Sequence, residues 1–290
     1  MNFLTVITPT YNRAYILPKL FESLCAQSRK DFEWLIVDDG SKDDTESVVQ
    51  TFTADFPVRY IRKENGGKHT ALNAGIKTVS TELTIIVDSD DRLLPDAVEI
   101  IGSYYEKYRS SQEIGALCFL RCNQNGRPIL GLDRDEFTAS YIDYRIKENR
   151  PGDMAEVFRT KVLQENPFPE FPGERFLSED VVWIEIGRKY PFVFINRPIY
   201  VCEYLQDGLT ANDKPMKFAS PMGSMLRGKR LMTKACGWKA NIKGAIIYNC
   251  YAGEVKQKLP EILRFNSLRD KMLVALCHVP GLYFRKKWKG

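Results

Sequence analysis

The chain of 290 residues carries a formal net charge of +5, and its 44% hydrophobic and 27% charged residues are ordinary for a soluble protein with one large domain, alone or with an appendage. Seven scattered cysteines, with no Cys-x-x-Cys pair, and only two histidines exclude a disulfide framework and a zinc finger and leave little room for a Ser-His-Asp triad. There is no N-terminal signal and no apolar run near the roughly 18 residues that span a membrane, so we expect a cytoplasmic protein.

The first 120 residues alternate between strand and helix patterns. Strands are predicted over residues 3–8, 33–37, 58–62, 83–87 and 114–120. Helices are predicted over residues 16–26, 43–52, 69–79 and 95–108. This alternation indicates crossover units, and therefore an α/β protein with a mostly parallel central sheet flanked by helices.

The regular order breaks down after about residue 121. Residues 123–128 are typical of a hairpin turn, residues 133–152 predict a polar loop or short helix, and a proline-rich loop follows. Short strands are predicted over residues 192–195 and 199–204, and the chain becomes helical and basic from Met216 onward.

A polar motif follows each of the first four predicted strands. The motifs are Thr8-Pro9-Thr10-Tyr11-Asn12-Arg13, Asp38-Asp39-Gly40-Ser41, Asn65-Gly66-Gly67-Lys68 and Asp88-Ser89-Asp90-Asp91. Turn and cap chemistry explains each motif taken alone, but it gives no reason for all four to gather at one edge of the sheet, where open α/β sheets bind ligands. An aromatic ring, paired carboxylates, backbone amides with a lysine and a crowded acidic loop that attracts a divalent cation together suit a nucleotide diphosphate.

In order and spacing these motifs resemble those of glycosyltransferase family 2, whose members have the GT-A fold and transfer sugars with inversion. The matching patterns are T-P-T-Y-N-R, V-D-D-G-S-x-D-x-T, N-x-G-x-x-x-A-L-N-x-G and D-S-D-D, within roughly residues 3–110. The resemblance implies a GT-A domain over residues 1–213, which binds the nucleotide sugar with residues 1–120 and the acceptor with residues 121–213. A basic helical region follows over residues 214–290. The Q-x-x-R-W motif of the family's processive members is absent, which favours addition of one sugar per binding event.

The resemblance also implies roles for individual residues. The implied donor-binding residues are Pro9, Tyr11, Arg13, Asp38, Asp39, Asn65, Lys68 and Asp88. Among them Pro9 and Tyr11 would line the pocket for the base, and Asp38 or Asp39 would accept the N–H of a uracil ring. Asp90, with Asp88 as the second candidate, would ligate Mn²⁺ or Mg²⁺ on the diphosphate. For Asp91, capping of the next helix is an equally good interpretation.

Two later motifs complete the expected site. Ser178 is predicted to cap a helix that has Glu179 and Asp180 in its first turn, and cap and dipole chemistry alone would explain both carboxylates. Similarity to the Glu-Asp motif of the family favours Asp180 as the general base, with Glu179 in support. Residues 204–212 resemble the family's Y-x-x-D-G-L-S/T-x-N segment. There Asp207, Gly208 and Thr210 would close over the donor diphosphate, or simply form a turn.

The basic charge is concentrated at the C-terminal end. Residues 214–290 contain 17 Lys and Arg against 3 Asp and Glu, whereas the rest of the chain contains 25 against 34. A solvated helical appendage would have this composition, and no nucleic-acid-binding motif is present. We expect peripheral attachment to the anionic inner face of the cell membrane, where the acceptor would be lipid-linked.

The sequence therefore predicts a metal-dependent, inverting hexosyltransferase. It would move one sugar from a nucleotide-diphosphate sugar, with a UDP-sugar favoured, to a saccharide or lipid-linked saccharide in bacterial cell-surface polysaccharide or lipopolysaccharide synthesis. A sugar nucleotidyltransferase is disfavoured because its Gly-rich, Arg-bearing N-terminal loop is missing. A dinucleotide-dependent oxidoreductase is disfavoured because no G-x-G-x-x-G follows the first strand. A non-catalytic nucleotide-sugar-binding subunit would be expected to have lost the carboxylates that are present here.

Overall fold

The computed structural model describes residues 2–150, 152–202 and 213–289. Within these residues the strands are β1 (Leu4–Thr10), β2 (Phe32–Asp38), β3 (Val58–Arg62), β4 (Leu83–Ile86), β5 (Arg92–Leu93), β6 (Ala116–Cys122), β7 (Glu136–Ser140), β8 (Met154–Arg159) and β9 (Pro191–Val201). The α-helices are α1 (Leu17–Cys25), α2 (Thr45–Gln50), α3 (Lys68–Ile76), α4 (Ala97–Tyr108), α5 (Thr160–Glu165), α6 (Asp180–Gly187), α7 (Asp213–Ala219), α8 (Pro221–Leu231), α9 (Gly237–Ala252), α10 (Leu268–Leu276) and α11 (His278–Lys289). The chain divides into two compact units. The first consists of residues 1–140, 151–167 and 190–205, and the second of residues 141–150, 168–189 and 206–290.

All the described strands belong to the first unit and form one sheet in the order β3-β2-β1-β4-β8-β6-β9-β5, with β7 paired to β9. The first four strands of this order are parallel, which confirms the predicted α/β class. All seven residues of β1 are buried, as expected for a central strand with helices on both faces. Beyond β4 the sheet is mixed, because β8 runs antiparallel between β4 and β6.

The predicted elements of the first 120 residues are confirmed within a few residues. The hairpin turn is also confirmed, because the amide of Asn123 donates to the carbonyl of Arg127 and Cys122 bridges to Pro128. The two short strands predicted near residues 192–204 are one continuous strand, β9. The sequence reading missed β5, β7 and β8, and β7 lies inside the segment that was predicted to be a polar loop.

The second unit is helical in its described residues, with a π-helical turn at Ile142–Lys147 and α6 to α11. Helices α8 and α9 approach each other backbone to backbone, since a Cβ atom on Gly228 would lie 2.6 Å from the carbonyl oxygen of Gly244. Helices α10 and α11 pack on α9, where Cys277 joins a small core with Met232 and Ala245. None of the helices in the described ranges is long and apolar enough to cross a membrane.

Candidate active site

The register of the sheet brings the first polar motifs together. Thr10 at the end of β1 pairs with Asp38 at the end of β2, and Asp38 pairs in turn with Arg62 of β3. The loop after β1 is tied to the loop after β2, because the amide of Asn12 donates to Ser41 Oγ at 2.8 Å and its side-chain oxygen accepts the amide of Lys42 at 2.7 Å. The predicted motifs therefore form one edge of the sheet.

The three predicted donor-binding residues of the first motif differ in accessibility. Pro9 is buried within β1, whereas the ring of Tyr11 is 39% exposed beyond the strand end. Arg13 is partly buried, and its guanidinium donates to the hydroxyl of Tyr15 at 2.6 Å. Tyr11 therefore presents an open aromatic surface at this edge, while Pro9 shapes the strand end.

Asp39 organises the Gly-Gly loop. Its Oδ1 accepts Lys63 Nζ and the amide of Gly66, each at 2.9 Å. Its Oδ2 accepts Asn65 Nδ2 at 3.1 Å and the amide of Gly67 at 2.6 Å. An ionised carboxylate offers about four acceptor positions, so these donors fill them. The two glycine amides, which the sequence suggested for a phosphate, are thus bound to Asp39.

Asp38 has a different environment, although it is also buried. Its Oδ1 accepts the amide of Ser41 at 2.8 Å and its Oδ2 accepts the hydroxyl of Tyr60 at 2.5 Å. Burial and the hydrogen bond to Asp38 raise the pKa of Tyr60, which keeps that hydroxyl a donor. Asp38 has acceptor positions left but no exposed surface, whereas Asp39 would have to exchange a donor in order to accept a base N–H.

Two of the three carboxylates in the acidic loop after β4 differ in their ion pairs: Asp88 has a lysine partner, and Asp90 has none among the described residues. Lys68 Nζ lies 2.5 Å from Asp88 Oδ1. Burial disfavours the ionised form of Asp88, but Lys68 and Arg121 outweigh this effect and keep its pKa below the usual value. For Asp90, burial and then the charge of Asp88 raise the pKa, and no side chain in the described part of the chain forms an ion pair with it. Asp90 is therefore the carboxylate that would gain most from an added cation.

The two carboxylates are a small ligand set for a metal. In the described ranges no group of three or more His, Cys, Asp or Glu side chains is placed to hold an ion. Mg²⁺ sites on phosphate substrates commonly use only one or two carboxylates, because the phosphates and water supply the other oxygens. The pair Asp88 and Asp90 fits that kind of site, and a cation there would relieve the repulsion between them.

The acidic loop is also held by Tyr200, a residue that the sequence analysis did not identify. The hydroxyl of Tyr200 in β9 donates to Asp91 Oδ2 at 2.7 Å and accepts the amide of Asp88 at 3.1 Å. Arg121 in β6 lies over the ring of Tyr200 at 4.4 Å from its centroid. The cap suggested for Asp91 is wrong, because its carboxylate accepts this hydroxyl and α4 begins only at Ala97. An arginine inside the apolar strand β6 was the available signal.

In the second unit, Asp180 starts α6 and is held by Arg227 of α8. Arg227 Nε donates to Oδ2 at 2.7 Å and to Oδ1 at 2.9 Å, and the terminal guanidinium nitrogen lies 2.7 Å from Oδ2. The predicted N-cap role of Ser178 is wrong. The N-cap position is Glu179, and Ser178 Oγ donates instead to Asp180 Oδ1 at 2.7 Å.

The environment of Asp180 keeps it ionised. Burial disfavours the charged form, but Arg227, Ser178 and Lys217 together outweigh burial and lower the pKa of Asp180. An ionised carboxylate in a fixed orientation can accept a proton, although the arginine reduces its basicity. Arg227 lies in the basic region, and no local sequence pattern indicates its pairing with Asp180. The other predicted group, Asp207, Gly208 and Thr210, lies outside the described residues.

The sequence is similar to that of known glycosyltransferases. A family model described as "Glycosyl transferase family 2" matches residues 5–153, about half of the chain. An uncharacterized glycosyltransferase of Rickettsia felis is 32% identical over 186 residues, which are 64% of this chain and 30% of that protein. The GalNAc(5)-diNAcBac-PP-undecaprenol beta-1,3-glucosyltransferase of Campylobacter jejuni is 28% identical over 221 residues, which are 72% of this chain and 68% of that protein. The chain thus spans less than a third of the Rickettsia relative.

Solved structures share the fold at low sequence identity. S. aureus TarS 1-349 in complex with UDP-GlcNAc has a TM-score of 0.67 at 16% identity, over 96% of this chain and 79% of that chain. The mannosyltransferase PcManGT of Pyrobaculum calidifontis, in complex with GDP-Man and Mn2+, has a TM-score of 0.58 at 16% identity, over 99% and 84%. At such identities the likeness concerns the fold alone, which is of the GT-A type.

Proposed function

The chain belongs to glycosyl transferase family 2, and from this premise we propose that it transfers one sugar from a nucleotide-diphosphate sugar to an acceptor hydroxyl with inversion. The observation that carries the proposal is the arrangement at the ends of β1 to β4. An exposed aromatic ring, two buried carboxylates, the Lys68–Asp88 pair and Asp90, which forms no ion pair with a described residue, lie there along one edge of a parallel sheet. A UDP-sugar is favoured, since TarS has the same fold and was solved with UDP-GlcNAc.

The residues at this edge would divide the donor between them. Tyr11 would stack on the base and Asp38 or Asp39 would accept its ring N–H, while Pro9, Arg13 and Asn65 shape the pocket. Lys68 would turn from Asp88 to the diphosphate, which leaves Asp88 to face the ribose or the sugar. Asp90, with Asp88, would hold Mn²⁺ or Mg²⁺, which supplies Lewis-acid stabilisation of the leaving diphosphate. The Mn2+ in PcManGT supports this part of the proposal.

On the acceptor side, Asp180 would act as the general base. As the acceptor oxygen bonds to the anomeric carbon, its proton passes to a carboxylate oxygen of Asp180, and the bond to the diphosphate breaks with its electron pair on the leaving oxygen. One displacement of this kind inverts the configuration and needs no covalent intermediate. Arg227 orients Asp180, and Glu179 stands beside it at the start of α6.

We infer the acceptor class and the location from a relative. The name of the Campylobacter relative specifies an acceptor linked to undecaprenol through a diphosphate. We extend this to a saccharide or lipid-linked saccharide acceptor in bacterial surface-polysaccharide synthesis, handled at the cytoplasmic face of the membrane. Nucleic acid is not expected as a partner.

The test is a screen of UDP- and GDP-sugars for donor hydrolysis and for transfer to saccharide acceptors, with Mn²⁺, with Mg²⁺ and with EDTA. We expect one nucleotide sugar to be consumed only with a metal present, and an anomeric configuration in the product, read by NMR, opposite to that of the donor. Retention of configuration would overturn the inverting mechanism. Nucleotide binding without any turnover would favour a non-catalytic nucleotide-sugar-binding subunit.

A further inference from the structure

Helices α10 and α11 have one face already packed. On that face Cys277 is buried, and Gly281 lies so close to Asn249 of α9 that no side chain would fit there. Asn249 Nδ2 donates to the carbonyl of Val274 at 2.7 Å, and Arg285 Nε donates to Glu254 Oε1 at 2.9 Å. Both helices are thus fixed to α9 by their inner sides, so the apolar residues on their other side are not needed for this contact.

The opposite side is apolar and open. It comprises six side chains with the following exposed fractions: Leu268 72%, Met272 57%, Leu276 76%, Val279 74%, Leu282 43% and Tyr283 60%. They follow helical spacing, four residues apart along α10 and three or four apart along α11, and we call them the outer face. They make up half of the twelve large exposed hydrophobic residues in the described ranges. Such a concentration marks an interaction surface.

The charges beside the outer face indicate what covers it. The two helices contain six Lys and Arg but only one acidic residue, Asp270. Arg285 and Lys289 are bound to Glu254, and Arg269 to Asp270. The remaining three cations, Lys271, Lys286 and Lys287, are exposed, and none forms an ion pair with a residue that the structure describes. An apolar stripe bordered by free lysines is the pattern of a helix that lies in the interface of an anionic bilayer.

We propose that the outer face docks on the surface of a membrane that contains anionic lipid. The aliphatic side chains and Tyr283 would enter the boundary between headgroups and acyl chains, and the three free lysines would meet lipid phosphates. A second copy of the chain is a poorer occupant. A two-fold interface sets the same patch against itself and would bring unpaired lysines together with almost no acidic residues to offset them. The inference rests on the proposed function only for the expectation that the acceptor is membrane-linked.

The experiment uses the full chain and sedimentation with vesicles of phosphatidylcholine, alone or mixed with phosphatidylglycerol. We expect binding only to the mixed vesicles. Leu276→Glu and Val279→Glu should each weaken it about tenfold or more, since each removes the burial of a full aliphatic side chain. Lys286→Gln with Lys287→Gln should weaken it about 25-fold, since each basic residue near an anionic surface contributes roughly fivefold. Ile129→Glu, an exposed apolar site in the first unit, is the matched control and should bind as the parent does.

The outcomes separate this inference from the proposed function. Nucleotide-sugar hydrolysis without vesicles is measured on the same preparations, and all four variants should retain it. If both glutamate variants sediment with the mixed vesicles as the parent does, the outer face is not the membrane-docking surface. A parent that does not bind the mixed vesicles would also refute the proposal. A parent dimer in light scattering that Leu276→Glu dissociates, without vesicle binding, would assign the face to self-association. A parent that binds vesicles but hydrolyses no nucleotide sugar would contradict the transferase and leave the face standing.

Discussion

Asp90 of the first unit and Asp180 of the second unit meet opposite electrostatic conditions. In the first unit, burial and the charge of Asp88 raise the pKa of Asp90 by more than the charges of Arg13 and Lys68 lower it, and Asp90 forms no ion pair with a described residue. In the second unit, Asp180 loses solvent as well, but Arg227 and Ser178 lower its pKa. Asp90 would thus gain from a cation supplied with the ligand, whereas Asp180 is already bound by Arg227. Environments that separate the pKa values of two carboxylates are typical of a division of catalytic roles.

Removal of the Asp90 carboxylate, which forms no ion pair with a described residue, should have the largest effect on turnover. For Asp90→Ala we expect turnover to fall about 10⁴-fold, because metal stabilisation of a leaving group amounts to several kcal/mol. In the parent, UDP should bind more tightly with Mn²⁺ than with EDTA by calorimetry, and in the variant the two affinities should converge. Asp96→Ala, an exposed residue at the start of α4 without a side-chain cap bond, is the control. Equal UDP affinity of the parent in Mn²⁺ and in EDTA would refute the metal role.

Substitution of Asp180, the carboxylate that Arg227 binds, should give a different kinetic pattern. Asp180→Asn retains the size of the side chain but removes its basicity, so kcat should fall about 10²–10⁴-fold while the Kd for the nucleotide stays nearly constant. Glu179→Gln should have a much smaller effect, because that residue is assigned only a supporting role. If Asp180→Asn turns over like the parent, the base is another residue.

The same contrast explains what the sequence could predict. The motif residues of the first unit directly follow predicted strands, and parallel strands align their ends, so Lys68 and Asp88 could be placed near each other. Arg227 is 47 residues from Asp180, and Tyr200 is 109 residues from Asp91, and no local pattern connects such partners. Local residue preferences predict that Ser178 caps a helix, but its hydroxyl donates to the carboxylate of Asp180 instead. The strand β8 was missed because it is inserted between β4 and β6 by long-range pairing.

Arg227→Met would remove the ion-pair partner of Asp180, so that Asp180, like Asp90, would have no ion pair of this kind with a described residue. Without Arg227 the pKa of Asp180 should rise, so the acidic limb of the kcat profile should move to higher pH while kcat falls about tenfold as orientation is lost. Arg230→Met is a matched control, because Arg230 also joins α8 to α6 through Glu185 at 2.6 Å. That control should shift only stability. An unchanged acidic limb in Arg227→Met would mean that Asp180 does not set the pH dependence.

The lowered pKa also has a consequence for stability against acid. A carboxylate whose pKa is lower in the folded state stabilises the fold above its unfolded pKa, and this contribution is lost as the pH falls through the folded value. The parent should therefore lose stability between these two pKa values in acid denaturation. In Arg227→Met that part of the loss should be smaller, because Asp180 titrates closer to its unfolded value.

The smallest expected effect concerns the support beneath the acidic loop. Tyr200→Phe removes the hydroxyl that donates to Asp91 and accepts the amide of Asp88, and we expect a loss of about 1–3 kcal/mol in the free energy of unfolding. Tyr105→Phe, a buried ring whose hydroxyl has no hydrogen bond to a described residue, should change it little. Because the loop holds Asp88 and Asp90, Tyr200→Phe should also weaken Mn²⁺-dependent UDP binding by a few-fold, while the pH dependence set by Asp180 stays fixed. A simultaneous shift of that pH dependence would show that the two carboxylate environments are coupled, and the contrast between them would then no longer hold.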